Sequence, residues 1–386
     1  MAVAVSMSEH ADGVEIGKDR VEKMLQIKQG YLENVFRENS KVVLFGAGSL
    51  MHAMFEAYKD LAFEAKVDYI IDNDRDKDGK TMLINGKAIK VVTVESFARL
   101  NYRDYVLLVM PVFFLDIVKQ IDRLEVFDHV PAYIYAFLMN MDEGGRFSIR
   151  HTGETRIPKK IHYCWFGGNR IPDSYQKNIE SWKKYCPDYE IIEWNETNYD
   201  IKKNRFMYQA YQSKGWAYVS DYARKDIIYN CGGVYFDTDV EVLKPLDDLL
   251  YNEFFVGMDD AANIATGAGF GAVKGNGLIK ELRDDYEDQS FVDDSGRIIG
   301  RVCGVYETAV FVKHGYRPGN KCQLIEGGCV FPREVLCPIS WIGMADKYTK
   351  KTLTVHKYDD LLNTPMQRKE IEQLVCRANG GQYGKI

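Results

Sequence analysis

Asp237, Thr238 and Asp239 set two carboxylates two residues apart, directly after the apolar run Val234, Tyr235 and Phe236. Side chains two apart on an extended segment point the same way, so this spacing predicts that Asp237 and Asp239 converge while Thr238 faces elsewhere. Convergent carboxylates repel unless something positive sits between them. A hard divalent cation, Mg²⁺ or Mn²⁺, is the natural candidate, because such ions take one or two carboxylates together with phosphate oxygens and water. A bare Asp-x-Asp triplet is more often a solvated turn; the residues around this one set it apart. Asp221 and Arg224, three apart, share a helix face and form a second candidate group. Beside the acidic pair they could hold sugar hydroxyls. By themselves they read as a surface ion pair, with Asp221 favoured by the helix dipole in a first turn.

The elements that must position these groups are legible on either side. Val219 to Asn230 has helical spacing, with Tyr222, Ala223, Ile227 and Ile228 as apolar contacts. Gly232 and Gly233 predict a left-handed cap that ends the helix. The run 234–236 then predicts a short buried strand that delivers Asp237 to a sheet margin. Upstream, 160–166 reads as a strand, Gly167 and Gly168 as a turn, and 174–185 as a helix stopped by Pro187. A strand at 190–194 follows.

Ser220, Asp221 and Arg224, then Gly232, Gly233, Tyr235, Asp237 and Asp239, stand in the order of the signature of glycosyltransferase family 32, which this stretch resembles. The resemblance implies a GT-A-type α/β domain, a mixed sheet with flanking helices, and transfer of a sugar from a nucleotide donor with retention of configuration. It implies that Asp237 and Asp239 bind the metal, with Asp237 shared with the sugar, and that Asp221 and Arg224 orient the sugar hydroxyls. Trp165 stands where related enzymes place an aromatic against the nucleobase, and Tyr163 and Gly167 join it as candidate donor contacts. Family members often close the site with a histidine and a Ser-Trp pair near the C-terminus. Here His356 is the candidate third metal ligand, and Ser340-Trp341 precedes it rather than following. The core packing of Trp165 and an ordinary partly buried His356 stand as the plain alternatives.

Residues 41–58 form a strand, a Gly46-Ala47-Gly48 turn and a helix, and 67–71 form a strand ending in Asp72. That layout resembles a Rossmann-type nucleotide-binding unit, with Met51 where a third glycine would stand. Further strands near 89–94, 105–109 and 130–137 and a helix over 113–124 complete a small doubly wound domain. The expected organisation is a helical segment at 1–39, a Rossmann-like accessory domain at 40–139, a polar linker at 140–156 and the transferase domain at 157–386.

The 386 residues carry a net charge of −6 and 46% hydrophobic residues, the profile of a globular protein with no charge-based reason to bind nucleic acid. The longest apolar run, 105–118, is broken by Pro111 and Asp116 and is too short for a transmembrane segment. Eight cysteines without a C-x-x-C pair predict reduced thiols in a cytoplasmic protein, soluble or peripheral at the inner face of a membrane. The family resemblance, not the composition, implies the partners: a nucleotide-sugar donor, UDP-linked in preference to GDP-linked, and a saccharide or lipid-linked saccharide acceptor in surface or capsular polysaccharide synthesis. Two other readings stand beside this one. The Gly46–Gly48 domain could serve an NAD(P)-dependent sugar-nucleotide oxidoreductase or epimerase, or the chain could be a non-catalytic sugar-nucleotide-binding module.

Overall fold

The computed structural model describes residues 31–100, 102–140, 147–148, 153–299, 303–359 and 365–378. The expected helical segment at 1–39 falls within these only from residue 31, where Leu32–Glu38 is a helix, and most of the 140–156 linker lies outside. The chain divides into two compact units. One takes in Met1–Met141, Trp341–Ala345 and Tyr358–Ile386; the other takes in Asp142–Ser340 and Asp346–Lys357.

The first unit is built on a six-stranded sheet. In chain order its strands are β1 Lys41–Phe45, β2 Val67–Ile71, β3 Thr81–Ile84, β4 Lys87–Val92, β5 Tyr105–Val109 and β6 Ala132–Ile134. Their spatial order is β3-β4-β2-β1-β5-β6, all parallel except β3 against β4. The parallel strands therefore step outward from β1 in both directions, as in a Rossmann-type sheet. β1 and β5 are buried almost throughout, which is why they read as unbroken apolar runs. The expected strand at 130–137 stops at Ile134, and Tyr135–Met139 is a helix. Every residue from Ala132 to Met139 is buried, so no periodicity marked the change. The helix Pro365–Ala378 belongs to this unit, where Ile371 and Leu374 are buried and Glu370 pairs with Lys119 at 2.5 Å.

The second unit carries a seven-stranded mixed sheet with flanking helices, as expected. Its strands are β7 Lys160–Cys164, β8 Glu190–Trp194, β9 Gly233–Tyr235, β11 Phe254–Gly257, β12 Phe270–Ala272, β13 Gln323–Ile325 and β14 Gly328–Phe331, in the order β13-β14-β11-β12-β9-β7-β8. β7 pairs parallel with both β8 and β9, and β12 runs antiparallel to β9. A separate two-stranded ribbon joins β10 Val240–Val242 to β15 Thr354–His356, with Val240 opposite His356. Ile161, Tyr163, Trp182, Val234 and Phe236 share one core beneath the sheet margin where β9 ends.

Candidate active site

The helix that carries Asp221 and Arg224 runs from Trp216 to Cys231, three residues longer at its start than its apolar spacing suggests. Asp221 therefore sits in the second turn and not at a dipole-favoured cap. Both side chains are buried, and Arg224 Nη2 meets Asp221 Oδ1 at 2.7 Å, so the surface ion pair is overturned. The helix ends at Gly232 with φ +66° and ψ 175°, a conformation essentially reserved for glycine but not the left-handed cap expected. A Cβ on Gly233, at φ +111°, would lie 2.9 Å from His162 Nε2. His162 locks this turn. Trp194 Nε1 can only donate, and it lies 3.0 Å from His162 Nδ1, so Nε2 bears the proton and donates to the Gly232 carbonyl at 2.9 Å. Burial lowers the pKa of His162 to about 4, which keeps the ring neutral in this role.

β9 delivers Asp237, but the two carboxylates converge for a different reason from the one the spacing offers. The extended segment stops at Tyr235, and Val240 N donates to the Asp237 carbonyl at 3.1 Å, closing a turn over 237–240. Reversal of the chain, not strand alternation, turns Asp237 and Asp239 together. The helix Asp173–Tyr185 holds the turn from one side: Asn178 Nδ2 donates to the Thr238 carbonyl at 2.8 Å and Trp182 Nε1 to the Val240 carbonyl at 2.8 Å. From the ribbon, His356 Nε2 lies 3.2 Å from Asp239 Oδ1. One ligand atom each from Asp237, Asp239 and His356 fall within 4.8 Å of one another.

The electrostatics are unusual. Burial raises the pKa of Asp237, and the Asp239 charge adds to that rise, while Arg224 opposes it. Burial alone would lower His356, but Asp239 outweighs it and holds the imidazole well above its ordinary pKa. Arg224 Nη1 lies 3.5 Å from Asp237 Oδ2, and the Tyr235 hydroxyl donates to Asp237 Oδ1 at 2.9 Å. Behind them Glu307 binds Lys225 at 2.7 Å and Arg224 at 3.4 Å. Asp221, Asp237, Asp239 and Glu307 thus face the permanent cations Arg224 and Lys225 and one imidazole. Two carboxylates and a neutral imidazole so placed are a set that could hold a divalent ion.

The other expected residues divide. Trp165 is half-buried beside the β7 end, its Nε1 donating to the Asn169 carbonyl at 2.6 Å and its ring edge-on to Tyr175. Tyr163 is not gathered with the acidic turn: its ring packs on Trp182 and its hydroxyl donates to Glu193 at 2.7 Å. Gly167, at φ +96°, is needed for an internal approach, since a Cβ would come within 2.8 Å of the Trp216 ring. Ser340 donates to Asp260, while Trp341 belongs to the first unit and lies against Phe113. Lys357 is engaged by Asn178 and Glu241.

Two residues that the sequence reading missed bear directly on the site. Gly267 brings its backbone so close that an added Cβ would lie 2.2 Å from Asp237 Oδ2, and its carbonyl accepts from Asp237 N at 3.0 Å. Glu307 is the other. Neither has a local pattern that announces it, because each is defined by a partner 30 or more positions away.

Residues 172–256, which include the signature helix and the acidic turn, match the family described as the glycosyltransferase sugar-binding region containing the DXD motif. Similar curated proteins include inositol phosphoceramide mannosyltransferase 1 of Schizosaccharomyces pombe, 32% identical over 26% of this chain and 34% of that protein. Inositol phosphoceramide mannosyltransferase 3 of the same organism is 27% identical over 38% of this chain and 41% of that protein. The chain thus spans about two fifths or less of the length of these relatives. Among solved structures, the PaToxG glycosyltransferase overlaps 41% of this chain and 70% of that chain at 18% identity and a TM-score of 0.31. No helix among the described residues is long and apolar enough to cross a membrane.

Proposed function

We propose that this chain is a metal-dependent, retaining glycosyltransferase that moves a sugar from a nucleotide-sugar donor to a saccharide or lipid-linked saccharide acceptor, in surface or capsular polysaccharide synthesis. The observation that carries this reading is the gathering of Asp237, Asp239 and His356 within 4.8 Å, beside a buried Asp221–Arg224 pair, in the segment that matches the family. The family match and the mannosyltransferase relatives support sugar transfer in preference to an oxidoreductase. Two carboxylates with an imidazole suit Mn²⁺ more than Mg²⁺, which favours an all-oxygen shell. A UDP-sugar is the preferred donor, with a GDP-sugar as the second choice.

The barrier to breaking an anomeric C–O bond is dominated by negative charge on the departing diphosphate and positive charge on the sugar ring. A bound divalent ion supplies Lewis-acid stabilisation of that departing oxygen. Asp239 and His356 would hold that ion. Asp237, with one oxygen held by Tyr235 and the other facing Arg224, would serve metal and sugar together. Asp221 and Arg224 orient sugar hydroxyls through charge-assisted hydrogen bonds that cost no rearrangement at the moment of reaction. The half-buried face of Trp165 is the candidate platform for the base.

The test is a panel of UDP- and GDP-sugars incubated with the protein and Mn²⁺, with and without chelator. Metal-dependent donor hydrolysis or transfer is expected. Turnover of NAD(P), or tight donor binding with no turnover of any donor, overturns the reading.

A further inference from the structure

Glu307 lies outside the family-matched segment, on the helix Cys303–Lys313, yet its carboxylate reaches three components of the site. Its side chain is 2% exposed. One oxygen meets Lys225 Nζ at 2.7 Å, Arg224 Nη2 at 3.4 Å and the Thr266 hydroxyl at 2.6 Å; the other accepts from Thr266 N at 3.3 Å. Lys225 is itself fully buried and donates back to the Asp221 carbonyl at 2.6 Å. Thr266 precedes Gly267, the residue packed against the Asp237 carboxylate. Glu307 therefore connects the helix bearing Asp221 and Arg224 to the loop that limits where Asp237 can go.

The energetics explain why a carboxylate is needed. Arg224 is drawn toward both Asp221 and Asp237, and nothing in that pair alone fixes how its fork divides between them. A buried charge opposite Lys225 and behind Nη2 pins the guanidinium, leaving Nη1 toward Asp237. The same oxygens anchor Thr266, so that the Gly267 backbone backs the outer carboxylate oxygen of Asp237. We propose that Glu307 is a positioning residue for the transfer site: it sets Arg224 and Asp237 at the spacing needed for metal and sugar, through Lys225 and Thr266, without touching either ligand. This rests on the transferase reading of the same site.

Removing one partner of a buried pair leaves the other charge uncompensated, so Glu307→Gln alone confounds placement with stability. The informative variant is the double change E307Q/K225M, which removes both charges and keeps the volumes. Thermal midpoint, calorimetric binding of Mn²⁺ alone, and donor turnover are measured on wild type, E307Q and the double variant. The double variant is expected to regain most of the midpoint lost in E307Q, yet to keep at least a tenfold loss in Mn²⁺ affinity and in turnover. Regaining all three together assigns Glu307 a purely structural role and overturns the proposal. Should wild type neither bind Mn²⁺ nor turn over any donor, the transferase reading falls, and a crystal structure of the double variant then decides the positioning role. Displacement of Arg224 Nη1 and the Asp237 carboxylate by about 1 Å or more supports it, and unchanged positions refute it.

Discussion

The two units each end a parallel strand in an acidic residue beside a glycine turn, and they treat that carboxylate in opposite ways. After β2, Asp72 accepts from Ala47 N in the Gly46–Gly48 turn at 2.9 Å and from Asp74 N at 2.9 Å, and it pairs with Lys77 at 3.0 Å. Burial works against its charge, but these partners outweigh it and hold its pKa below the usual carboxylate value. After β9, Asp237 faces a second carboxylate, and its pKa is raised. One carboxylate is met by backbone amides and a lysine; the other faces a second carboxylate. The lesson is that a glycine turn with an acidic strand end says little until the partners of the carboxylate are known. At the Asp72 turn, one amide of the Gly46–Gly48 loop is already engaged by the acid itself.

The largest effect expected from breaking this contrast is at the turn that bears the acidic pair. Asp239→Asn should lower metal-dependent donor turnover by a hundredfold or more, about 3 kcal/mol of transition-state stabilisation, read from initial rates at saturating Mn²⁺. An equally active variant would remove Asp239 from the chemistry.

The stability of the Gly232–Gly233 turn before β9 should be acid-sensitive. His162 is depressed to about 4 in the folded chain, so the unfolded chain takes up a proton first as pH falls from about 6.5. Its contribution is present above that range and is lost as pH drops toward 4, roughly 3 kcal/mol in all. Urea midpoints measured across this window should fall more steeply for wild type than for His162→Gln. Parallel slopes would show that the Trp194–His162–Gly232 chain does not carry the difference. Asp72 has the opposite sign of shift from Asp237, so its stabilisation persists until the pH falls below about 4.

Gly267→Ala should sharpen the comparison without unfolding the protein, because the added Cβ meets the end of a side chain and not backbone. A loss of about tenfold in Mn²⁺ affinity is expected, with the thermal midpoint little changed. Unaltered affinity would mean that Asp237 can move freely and that its placement is unimportant. The smallest effect is reserved for the satisfied turn: Asp72→Ala should cost about 1 kcal/mol in urea unfolding and leave donor turnover untouched. A loss of turnover there would join the first unit to the chemistry.

Much of the site was readable from the chain because its parts are close in sequence. The Ser220–Arg224 spacing, the glycine pair and the two aspartates lie within 20 positions, and the helix and strand between them follow from apolar pattern and glycine. What misled the reading was local geometry finer than pattern. The turn over 237–240 gave the convergence credited to an extended strand. The helix begins at Trp216, so Asp221 lies a turn deeper than expected. Strand parity puts Tyr163 on the same face as Ile161, in the core. Glu307, Gly267 and the first-unit placement of the helix Pro365–Ala378 had no local signal, because each depends on contacts between distant segments. His356 was suggested by resemblance and is carried to Asp239 by the β10–β15 ribbon, a pairing of strands more than 100 residues apart.

Manganese anomalous scattering from crystals soaked in Mn²⁺ and UDP tests the central claim most directly. The account predicts one strong peak coordinated by Asp237, Asp239 and His356. A nucleotide bound with no metal at these three side chains, or a peak held by other residues, would contradict it.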